Sequence, residues 1–139
     1  MSAAALTPRV RVLVICDEAV ASDVESGVFT LEGVRQHLSG GPFPWRAPLT
    51  LFLVLSSPRK GTYTGNVVVV DDETDRTVRY ANFRAAFEED NEVLPLCVDL
   101  GECEFPRAGS YSVQVWFSPP KGRDVLKAEQ PLYVFDNAE

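Results

Sequence analysis

The chain has 139 residues, room for one domain with a substantial core and too little for two, since a domain of this size buries roughly two-thirds of its unfolded surface. A hydrophobic fraction of 45% and a charged fraction of 24%, with eight Phe, four Tyr and two Trp, are those of a globular protein rather than a disordered one. The net charge of −7 repels phosphate backbones and anionic lipid surfaces, so neither nucleic acid nor membrane is an expected partner.

Along the chain, the first nine residues lack a basic segment followed by a long apolar one, which argues against a secretory signal. Residues 1–8 and 136–139 are expected to be flexible tails of a single domain spanning 1–139. Short apolar, β-branched stretches bounded by Gly, Pro, Asp or Asn follow at 10–16, 28–38, 49–56, 62–70, 76–83, 93–100, 110–118 and 125–135, the pattern of strands joined by turns. Ser22-Asp23-Val24-Glu25 has capping-box spacing and predicts a single turn. Residues 51–55 are apolar on both faces, so that strand is expected to be covered on both sides, by this chain or by another. Residues 82–89 place Phe83, Ala86 and Phe87 at helical spacing behind a possible Asn82 cap and predict a short helix. In 110–118, Tyr111, Val113, Val115 and Phe117 share one face while Ser112, Gln114 and Trp116 share the other, the period of a half-buried strand. The longest apolar run, 48–55, is far short of the about 20 residues of a membrane helix. The expected fold is therefore all-β: an antiparallel two-sheet β-sandwich, immunoglobulin-like, of about seven or eight strands with at most one short helix.

Candidate sites are few. The single histidine, His37, has no nucleophile brought to it by any motif, and neither a G-x-S-x-G elbow nor a phosphate-binding glycine loop is present. Cys16, Cys97 and Cys103 lack the paired spacing of a zinc site and read as reduced thiols, with Cys16 and Cys97 expected to be buried and structural. The acidic runs 71–75 and 88–92 flank one predicted strand and so fall at opposite ends of the fold, where they cannot share a cation. Strict alternation of strand direction would bring 88–92 to the end that holds Asp17, Glu18, Asp23 and Glu25. Run 71–73 is expected to be a solvated hairpin loop. No catalytic residue, metal or cofactor is expected. The strongest hints are large rings at predicted surface positions: Phe43 and Trp45 in a loop stiffened by Pro42 and Pro44, and Trp116 pointing away from the Tyr111 row, all three candidates for partner binding.

Three stretches, Cys16-Asp17-Glu18, Gly27-Val28-Phe29-Thr30-Leu31-Glu32-Gly33-Val34, and Phe105 to Val115 with Pro131-Leu132-Tyr133-Val134, together resemble an uncharacterised family of small bacterial β-sandwich proteins. The resemblance implies the fold and supplies no activity. The functional expectation is a cytoplasmic, non-enzymatic module that binds protein, either itself or another component of an assembly. The alternative is a module that holds a small ligand or carbohydrate at one end through loop carboxylates, Phe43 and Trp45. A third possibility is an enzyme built on carboxylates alone.

Overall fold

A computed structural model describes residues 7–137. Among them there is no helix, and ten strands follow in order: β1 (Arg9–Cys16), β2 (Glu18–Ala21), β3 (Phe29–Glu32), β4 (His37–Gly40), β5 (Trp45–Ser57), β6 (Gly61–Asp71), β7 (Thr77–Phe87), β8 (Glu92–Phe105), β9 (Gly109–Ser118) and β10 (Val125–Asp136). They form three sheets, β1-β5-β8, β4-β10-β9-β6-β7 and the small hairpin β2-β3. All pairings are antiparallel except β4 with β10.

The two larger sheets are built from period-two sequences whose inner faces share one core. Leu49, Leu51, Leu53 and Leu55 of β5 face Val67 and Val69 of β6 and the row Tyr111, Val113, Val115 and Phe117 of β9, all at most 1% exposed. Phe105 and Tyr111 meet edge to face between the sheets, ring centroids 5.0 Å apart. The Tyr111 hydroxyl donates to the Arg107 carbonyl at 2.6 Å, which answers the polar end of an otherwise buried ring. At the open flank, β7 lies beside β8, and Arg79 Nε donates to the Leu100 carbonyl at 2.6 Å.

Four sequence expectations change. Residues 82–89 are not a helix: 82–87 continue β7, with Ala81, Phe83, Ala85 and Phe87 turned inward in strict alternation, and 88–89 belong to the bend that follows. Phe83 lies over Gly65, its partner in β6, where the missing side chain leaves room for the ring. Residues 28–38 are not one strand. The chain bends after Glu32, where Gly33 takes a φ of +65°, and Arg35 N–H returns to the Ile15 carbonyl at 2.8 Å. β3 therefore pairs with β2, while β4 joins the far sheet. That break explains the third sheet and the extra strands.

It also ends the strict alternation of direction. β1 runs antiparallel to β5, with Cys16 opposite Thr50, whereas Glu92 lies opposite Ser57 at the other end of β5. Asp17 and its neighbours thus sit away from residues 88–92. Finally, run 71–73 is not simply solvated, because Asp71 is 2% exposed. The expected tails fall mostly on residues 1–6 and 138–139, outside the described residues. Within them, Thr7 is buried and Asn137 N–H donates to the Gly40 carbonyl at 3.0 Å.

Candidate binding surfaces

Phe43 and Trp45 stand at the end of the core near Phe105. The Phe43 and Trp45 rings meet edge to face at 6.5 Å, and Trp45 leans on Phe105 at 6.1 Å. Gly40 lies directly under the indole, so a β-carbon there would collide with it. Both rings are half-buried and packed against the core. Trp116 keeps the outward direction that the alternation predicts, also half-buried, with its Nε1 donating to Gln114 Oε1 at 3.0 Å. Its ladder neighbours are Asn66 and Leu126. The fold does not bring these three rings into one site, since Trp116 is on the outer face of the five-stranded sheet and the other two cap the core.

A cleft of about 820 Å³ lies beside the β6–β7 turn and is lined in part by Asp71, Arg76, Glu104 and Arg107. The Asp71 and Arg107 charges are answered locally. Arg107 pairs with the buried Asp71 and with Glu73 Oε2, the latter at 2.9 Å. Asp71 also accepts from the Glu73 N–H at 3.0 Å. Asp72 accepts from the Ser110 and Ser112 hydroxyls, each at 2.6 Å. These carboxylates tie the turn to β9, and no group of three or more His, Cys, Asp or Glu fit to hold a metal occurs among the described residues.

The thiols are equally quiet. Burial raises the Cys103 pKa to about 11, which keeps it protonated and poor as a nucleophile at neutral pH. Cys16 is also buried and raised, again mainly by desolvation, whereas Cys97, expected to be buried, is exposed because it falls on the outer face of β8 opposite Phe52, and its pKa is raised by desolvation as well. Asp17 moves the other way: hydrogen bonds from Arg35, at 2.5 and 2.7 Å, hold its carboxyl below the usual range.

Two of the surfaces that carry exposed apolar side chains bear on binding. On the outer face of β1-β5-β8, Val12, Val54 and Pro95 form one cross-strand row, and Val14, Phe52 and Cys97 the next. The β2-β3 hairpin covers only part of this face, with Phe29 against Phe52 at 5.2 Å. Val12 remains 41% exposed and Val93, beyond the first row, 61%. The second surface is a shallow cleft of about 450 Å³ where β10 runs past the start of β4, lined by Gln36, His37, Gln130, Pro131, Tyr133 and Phe135. Tyr133 and Phe135 are 47% and 52% exposed, and His37 stands edge-on to Phe135 at 5.4 Å. Sequence reasoning passed over these two rings, although their alternation with the buried Leu132 and Val134 already turns them outward.

A family model, the family of unknown function DUF6941, matches residues 11–134, nearly all of the described chain. The chain belongs to that family. This agrees with the expectation of an uncharacterised family, drawn from the strand-end and glycine motifs. No curated protein matches the chain.

Proposed function

We propose that this member of the family is a non-enzymatic module that binds protein through the outer face of its three-stranded sheet. The observation that carries this reading is the apolar pair of cross-strand rows, Val12-Val54-Pro95 and Val14-Phe52-Cys97, flanked by Val93 and only partly roofed by the β2-β3 hairpin. A two-faced apolar strand at the middle of a sheet demands a cover on each side, and contiguous apolar surface of this kind favours protein contact. The local neutralisation of the acidic groups around the cleft beside the β6–β7 turn, and the protonated, buried Cys103, give little support to catalysis.

The same reading takes the two larger sheets as the halves of an immunoglobulin-like sandwich. Support comes from the hydroxyl of Tyr111, which reaches back four residues to the Arg107 carbonyl, as a corner tyrosine does in such domains. The free thiols favour a reducing, cytoplasmic setting.

The test is light scattering after size exclusion, together with capture from native lysate, on the wild type and Val54→Lys. Self-association or partner capture that the lysine abolishes, with melting unchanged, is the expected result. A wild type that stays monomeric and captures the same proteins as the variant would overturn the proposal.

A further inference from the structure

We infer that the cleft between β4 and β10 is a binding site for a neutral carbohydrate, separate from the protein-binding face proposed above. Parallel pairing sets His37 opposite Tyr133, and β10 turns Pro131, Tyr133 and Phe135 to the same side because Leu132 and Val134 are buried between them. The two rings stand about 7 Å apart along the strand, two residues of extended chain. They line one shallow cleft of about 450 Å³, within the range of small-molecule sites.

The chemistry of the lining selects the ligand. The C–H face of a pyranose packs on the negative face of an aromatic ring, and Tyr133 and Phe135 leave about half of their surface uncovered for that contact. Sugar hydroxyls both donate and accept. Gln36 and Gln130 each offer an amide N–H₂ and an amide oxygen, and the His37 imidazole adds ring nitrogens for hydrogen bonding. No carboxylate, lysine or arginine lines the cleft, so a phosphate, a carboxylate or a metal ion finds no counter-charge there. The overall charge of −7 further disfavours an anion. A proline-rich peptide would use the same rings. Its polyproline segment, however, presents only carbonyl acceptors and would leave the oxygens of Gln36 and Gln130 unanswered.

Titration of the ¹⁵N-labelled chain with glucose, galactose, mannose and their neutral disaccharides tests the assignment by amide shifts. Shifts confined to residues 36–37 and 130–135 are expected for at least one sugar, with affinity lowered roughly tenfold by Phe135→Ala, the loss that follows removal of one stacking ring. Gln130→Ala and Gln36→Ala are expected to weaken binding as well. Phe135 and Gln36 are exposed and Gln130 is half-buried, and the two glutamine variants keep the test intact if the Phe135 variant fails to fold. No shift with any of these sugars, or shifts centred elsewhere, would overturn the assignment. So would a proline-rich decapeptide that moves the same amides at lower concentration than every sugar.

Discussion

At the scale of single residues, the decisive contacts sit around Arg107. Its guanidinium answers the buried Asp71 carboxylate and its carbonyl receives the Tyr111 hydroxyl. Arg107→Ala leaves Asp71, 2% exposed, with the Glu73 N–H as a remaining donor, and is expected to cost about 3 kcal/mol, the low end for orphaning a buried charge. Tyr111→Phe removes one hydrogen bond and is expected to cost about 1 kcal/mol. Urea titration of both variants checks the order; an Arg107→Ala loss no larger than that of Tyr111→Phe would show that Asp71 does not depend on this partner. Asp17 and Arg35 offer a pH test. The fold lowers the Asp17 pKa, so the pair stabilises above the unfolded value of about 3.9 and fades as pH falls through the lower folded value. Because both side chains are over 40% exposed, the contribution is at most ~1 kcal/mol. Asp17→Asn is therefore expected to melt slightly lower than wild type at neutral pH, with the two curves converging in acid. A gap that persists in acid would assign the loss to something other than the ion pair.

At the scale of elements, the ten strands are not equally held. β5, β6, β8 and β9 run through the core, whereas β2 and β3 are four residues each, with no fully buried side chain. Their anchor to the body is Phe29 on Phe52, helped by the Asp17 N–H to the Glu32 and Gly33 carbonyls and the Arg35 N–H to the Ile15 carbonyl. Local opening of such a unit costs less than global unfolding. Hydrogen exchange is expected to be fastest, among strand amides, in residues 18–32, and Phe29→Ala is expected to speed exchange there while leaving β9 unchanged. Equal protection of β2 and β6 would contradict this. The helix expected at 82–89 shows the limit of local reading. Phe83, Ala86 and Phe87 fit a helical stripe, yet Ala81, Phe83, Ala85 and Phe87 fit a strand equally well. The register with β6, Gly65 beneath Phe83, selects the second.

At the scale of the whole molecule, apolar contact and net charge oppose each other. Two copies meeting through the Val12-Val54-Pro95 face would each bring a charge of −7, and that repulsion is screened as ionic strength rises. Self-association is therefore expected to strengthen between low and moderate salt, read by light scattering. Association that weakens with added salt would point to an ionic interface in place of the apolar one. The surfaces are distributed: the apolar face proposed to bind protein is on β1-β5-β8, and the aromatic cleft is on the outer side of β4-β10.

By itself, the sequence determined the all-β class, the buried Tyr111 row, the outward turn of Trp116 and the membership of an uncharacterised family. Each of these depends on alternation or on turn residues read along the chain, and both are local. Only the tertiary structure decided that 28–38 breaks after Glu32, that β1 opposes β5 so that Asp17 lies away from residues 88–92, and that Phe43 and Trp45 cap the core. It also brought His37 beside Phe135, through a parallel pairing between residues nearly a hundred positions apart. Strand partners and directions follow from which distant apolar faces can be buried together, and no window along the chain contains that information.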